Sequence, residues 1–121
     1  MIPRGTAFIF AAAAILALVA CNSGGQEKYQ MTDAQLGLTA QQAAGRRVYD
    51  AQCLHCHASY TGEGRVSMSL KGMFQKPSMP SGIPANDERC SEVILHGKRM
   101  MPAIPMSPDQ LQALLAYMHT L

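Results

Sequence analysis

The sequence predicts an all-α domain, and three observations carry that reading. Three segments bear helix-capping residues at the right spacing, no segment alternates polar and apolar residues as a strand does, and glycine and proline punctuate the stretch between the first two helices. With 121 residues, 48% of them hydrophobic and 15% charged, the chain is too apolar for disorder and long enough for one small domain.

In chain order, residues 7–20 come first, an unbroken apolar run too short for the roughly 20 residues that cross a bilayer as a helix. Arg4 precedes it, and it ends in Leu18-Val19-Ala20-Cys21, which looks like the acylation box of a bacterial lipoprotein. Residues 1–20 are therefore expected to be a lipoprotein signal peptide, with Cys21 the acylated first residue of the mature chain. Residues 21–37 mix Gly, Ser, Gln and charge, so they read as a flexible tether with a mean reach of about 20 Å.

The domain proper is expected over residues 38–121. Thr39 and Gln42 have the spacing of a capping box, and the helix formers that follow predict a first helix from Ala40 to Gln52, running into Cys53. Residues 58–86 are expected to be mostly loop, with one short helix near residues 69–74. Asn86 can cap a second helix through His96, with Cys90, Val93, Ile94 and Gly97 on one face. Ser107, Pro108 and Gln110 open a last helix to about Thr120, with Leu111, Leu114, Leu115 and Met118 facing inward.

Chemistry concentrates in Cys53-Leu54-His55-Cys56-His57, a C-x-x-C-H that is the attachment signature of c-type haem. Two thiols three positions apart at a helix end can each bond one vinyl group of a porphyrin, and the adjacent imidazole can turn to the iron. Export agrees with that chemistry. Three rival readings use the same residues: a redox-active C-x-x-C, which wants a βαβ context; a Zn site from Cys53, Cys56, Cys90 and His57 or His96; and a Cys53–Cys56 disulfide, whose loop is too tight to add stability.

Taken together, Gly45 and Tyr49 ahead of the haem motif, Leu70-Lys71-Gly72 in the middle loop, Gly97 followed by Met101-Pro102-Ala103, and the closing LLAYMHTL resemble a class I cytochrome c, here in lipoprotein form. The resemblance implies a small fold of three to four helices wrapped around one covalently attached haem c. It implies thioethers at Cys53 and Cys56, His57 as proximal and Met101 as distal axial ligand, with Met100 the nearest rival and His96 a more distant one. It also implies that Gly45 and Tyr49 meet Leu114 and Tyr117 where the first and last helices cross. One departure stands out: Met68 occupies the place where the family often has a proline whose carbonyl bonds the proximal His. A carbonyl survives that change.

Cys90 is expected to be a buried, inert thiol, and His55 and His119 to face solvent. Without the signal peptide the formal charge is +1, which argues against a nucleic-acid partner. The chain keeps four Tyr and one Phe after processing, too thin an aromatic supply for a full core, so a buried porphyrin is expected to complete it. The reading is a monomeric, periplasm-facing single-electron carrier, anchored to a bacterial membrane by lipidated Cys21, with redox proteins as partners and no small-molecule substrate. Its alternatives are a haem subunit of a larger dehydrogenase or oxidase, and a haem sensor or enzyme with a displaceable sixth ligand.

Overall fold

The structure is a computed structural model and describes residues 24–121. The expected signal peptide and Cys21 lie outside the described residues. Among those residues there are four helices, numbered here in chain order: α1 (Gly24–Lys28), α2 (Ala40–Gln52), α3 (Asp87–His96) and α4 (Pro108–Met118). A short 3-10 turn at Met73–Gln75 replaces the helix expected a few residues earlier. Strand-like contact among them is limited to two isolated bridges, Ser78 with Pro84 and Lys98 with Met101.

Local chemistry sets the helix ends. Thr39 and Ser107 each form a complete capping box, with Gln42 and Gln110 returning bonds to the cap backbone, and Asn86 accepts from the Arg89 amide. Such caps satisfy N–H groups that no helical carbonyl can reach. Gly97 ends α3 at φ +75°, a conformation that favours glycine. Added bulk there would also meet the Met101 carbonyl at 2.7 Å, so this glycine lets the following turn fold back on the helix.

The frame is the crossing of α2 and α4. At Gly45 a Cβ would run into the Ala113 carbonyl and lie 2.8 Å from Tyr117 Cβ, so glycine allows the two backbones to touch. Tyr49, Leu114 and Tyr117 are fully buried around that point, and the two tyrosine rings meet edge to face at 5.4 Å. The expected pairing of Gly45 and Tyr49 with Leu114 and Tyr117 is the one observed. On α4 the inward face also includes Ala113 and Tyr117, while Leu111 is only partly buried.

The tether expectation needs correction. From Gly24 onward the segment is structured and packed, with Tyr29, Leu36 and Leu38 against the core. The reason lies in long-range partners that composition does not show: the Tyr29 hydroxyl accepts the Ser59 and Tyr60 amides, and Arg46 donates to the Met31 carbonyl at 2.8 Å.

Candidate functional site

Helix α2 delivers the C-x-x-C-H segment. Cys53 caps its C-terminus, and the backbone continues in a tight turn in which the Cys56 and His57 amides both donate to the Cys53 carbonyl. Tyr49, one turn earlier, donates its hydroxyl to the His57 carbonyl at 3.1 Å and lies 3.3 Å from that of Ala58. The turn is thus tied to the floor of the helix crossing.

An apolar cleft opens beside this turn. It is lined by Cys53 and His57, by Met68, Leu70, Met73 and Met79 from the middle loop, by Cys90, Val93 and Ile94 of α3, and by Met101 and Met118. His57 is its one basic group. The imidazole Nδ1 lies 2.8 Å from the Met68 carbonyl, and because a carbonyl can only accept, Nδ1 carries the proton. In the neutral ring that tautomer leaves the Nε2 lone pair free, the state a metal-binding histidine needs. The substitution of Met68 for the family's usual proline therefore costs nothing here, since the backbone oxygen makes the bond.

The two adjacent methionines part company. Lys98 and Met101 exchange backbone bonds across a two-residue turn, with Arg99 at φ +55°. At its tip Met100 is 99% exposed, whereas Met101 is half-buried and lines the cleft. His96 is exposed and lines a separate surface basin with Arg89 and Lys98. Of the three sixth-ligand candidates, only Met101 opens onto the same cleft as His57.

Cys53 and Cys90 are both buried, and burial pushes each thiol up to about 11. That is the reverse of the activated thiolate that disulfide exchange requires. No disulfide joins Cys53, Cys56 or Cys90. Among the described residues no three His, Cys, Asp or Glu side chains converge as a metal cage, which disposes of the zinc arrangement. Cys56, partly exposed at the outer side of the turn, is not among the cleft-lining residues. Cys90 is buried on the face of α3 that the sequence predicts for it with Val93 and Ile94, and Met118 faces inward as expected, whereas the sequence does not place Met73 or Met79 individually. Met79 lies in a proline-rich loop with no periodicity to betray which way it faces.

His119 departs from expectation in part. It is half-exposed, yet Nε2 sits 2.7 Å from Asp87 Oδ1 and the ring stacks on Phe74 at 3.9 Å. It fastens the end of α4 to the start of α3. His55 is exposed.

One imidazole, five methionine thioethers including that of Met101, and two buried cysteines share this apolar cleft, and the set fits an iron porphyrin. Residues 40–118 match the family model described as cytochrome C oxidase, cbb3-type, subunit III. The chain belongs to the c-type cytochromes. A curated relative, cytochrome c6 of Leptolyngbya boryana, is 33% identical over 84 residues, covering 64% of this chain and 89% of that protein. No solved structure matches. As a class I monohaem c-type cytochrome the protein carries one covalently attached haem c and transfers electrons rather than catalysing a reaction on a substrate. No helix among the described residues is long and apolar enough to cross a membrane.

Proposed function

We propose that this cytochrome is a single-electron carrier in which Cys53 and Cys56 hold the haem by thioethers, His57 is the proximal ligand and Met101 the distal one. The supporting observation is that a histidine with Nδ1 already committed to the Met68 carbonyl shares an apolar cleft with Met101, while Met100 points away. The haem, when bound, supplies a one-electron couple. The chain's own residues do the rest. Met68 fixes the His57 tautomer and ring plane, the Met- and Leu-lined walls exclude water, and a neutral thioether favours the ferrous state over an anionic ligand. No side chain has to move a proton in such a transfer.

Residues 1–20 and Cys21 are proposed as a lipoprotein signal and acylation site, which would place the domain at the periplasmic side of a bacterial membrane. The second reading, a fixed haem subunit of an oxidase, takes its support from the description of the matching family. The c6 relative, whose length this chain nearly covers, favours the free carrier. Detergent extraction separates them: a carrier is released as a lone domain, a subunit in a stable complex.

Optical spectroscopy tests the ligand assignment. The ferric protein should show the red band of a methionine–iron bond, lost in Met101→Ala and kept in Met100→Ala. Met101→Ala should also cost about 2 kcal/mol or more of stability, and Met100→Ala less than about 0.5 kcal/mol. A band that persists without Met101 would refute the assignment of Met101 as ligand, whereas ready binding of carbon monoxide by the ferrous wild type would refute the closed-carrier reading and favour a displaceable sixth ligand.

A further inference from the structure

The segment between the proposed acylation site and the haem domain has the bonding of a strut. Thr32 and Gln35 cap each other reciprocally, and Gly37 at φ +68° turns the chain toward α2. Arg46 holds this turn from the domain side, donating to the Met31 carbonyl and to Asp33 Oδ1 at 2.9 Å, with only 13% of its side chain exposed. Nearer the N-terminus, the Tyr29 ring packs edge to face on Tyr60 at 5.0 Å while its hydroxyl accepts two backbone amides. At Gly25 a Cβ would come within 2.8 Å of the Tyr60 carbonyl, so α1 lies directly on the loop that follows the haem motif.

Chain length then becomes decisive. A free coil from residue 21 to 37 would let the domain wander by about 20 Å. With α1 docked, only three peptide steps separate Cys21 from Gly24, a reach of at most about 11 Å. Whatever surface holds Cys21 therefore lies beside the start of α1. The neighbouring surface is a shallow basin of about 700 Å³ whose lining includes Gly24, Lys28, Thr61, Gly62, Glu63 and Lys71. Its two lysines, Lys28 and Lys71, and its one carboxylate, Glu63, leave a single net positive charge, so the lipid leash rather than a strong field would hold it down. None of the residues that line the haem cleft belongs to this face.

We infer that residues 24–38 are a rigid strut which seats the α1 face and the 61–64 loop on the phospholipid headgroup surface, fixing the orientation of the haem cleft relative to the membrane. The inference rests on the proposed acylation of Cys21.

Hydrogen exchange on the full-length, processed holoprotein tests it in two stages. In detergent solution the Ser59 and Tyr60 amides should exchange slowly, and many-fold faster in Tyr29→Phe. Free-chain exchange over residues 24–38 of the wild type would overturn the strut. On phosphatidylcholine vesicles the protein should float with the lipid, and residues 24–28 and 61–64 should gain several-fold protection that residues 98–101 do not. A ten-residue Gly/Ser insertion after Ser23 should abolish that gain while flotation persists. Flotation without the gain, or a gain indifferent to the insertion, would overturn the seating. So would a gain on native membranes but not on pure lipid, which would give the face to a partner protein. Failure to float, with no acyl mass on residue 21, would remove the anchor and the seating together while the solution result still decides the strut.

Discussion

Around the crossing of α2 and α4 the protein finishes its own interior, whereas along the cleft it does not. In the first region all four tyrosines have bonded hydroxyls: Tyr49 to the haem-motif carbonyls, Tyr60 and Tyr117 to each other at 2.6 Å, and Tyr29 to two amides. Geometry there is specified by directional bonds and by a glycine contact. The cleft wall, by contrast, is built from Met, Leu, Val, Ile and Cys side chains, several of them on loops. Such a wall has no internal hydrogen-bonding pattern to define it, and its members gain burial only when an apolar body fills the space. The half that crosses helices is therefore specified by the polypeptide, and the half that lines the cleft is, on the function proposed above, the half that haem would complete.

The largest expected effect breaks the dependence of the second region on haem. A Cys53→Ala, Cys56→Ala double variant should lose its cooperative thermal transition by near-ultraviolet circular dichroism, because the helix crossing alone buries too little. A native-like melt without haem would show the two halves to be independent. Next comes Gly45→Val, which drives side-chain atoms into the Ala113 carbonyl and should cost about 3 kcal/mol in denaturant titrations of the holoprotein. Tyr49→Phe leaves the fold in place but removes the donor that ties the haem-motif turn to α2, for a loss of about 1–2 kcal/mol.

The smallest effect concerns pH. Partial desolvation of the half-exposed Asp50 carboxyl raises it above its ordinary value, and the Arg46 charge only partly offsets this. The folded protein therefore binds this proton more tightly than the unfolded chain does. Ionisation at neutral pH thus works against the fold, and the penalty fades as pH falls through the folded value toward the ordinary one. Asp50→Asn should accordingly raise the melting temperature slightly at pH 7, with the gain over wild type shrinking toward zero below about pH 4.

Much of both regions could be read without coordinates. The α2 and α3 bounds were predicted as observed because the caps at Thr39 and Asn86 are local, a matter of side chains three residues from the amides they satisfy. The C-x-x-C-H motif is likewise local, since its two thiols and its imidazole lie within one short stretch of chain, Cys53 to His57. The fold of residues 24–38 escaped because its partners, Arg46, Ser59 and Tyr60, lie 13 or more residues away. The place of Met79 on the cleft wall escaped for the same reason.

The sequence by itself determined where α2, α3 and α4 begin, which thiols and imidazole stand at the end of α2, and how few aromatics the domain has for its core. Tertiary structure turns Met101 rather than Met100 inward and brings the Met68 carbonyl to His57, both in line with the resemblance, and it alone decided that residues 24–38 are fastened to the domain. Capping and motif chemistry act over a few bonds and leave a mark in residue order. The direction of a side chain in a loop depends on what distant segments bring up against it.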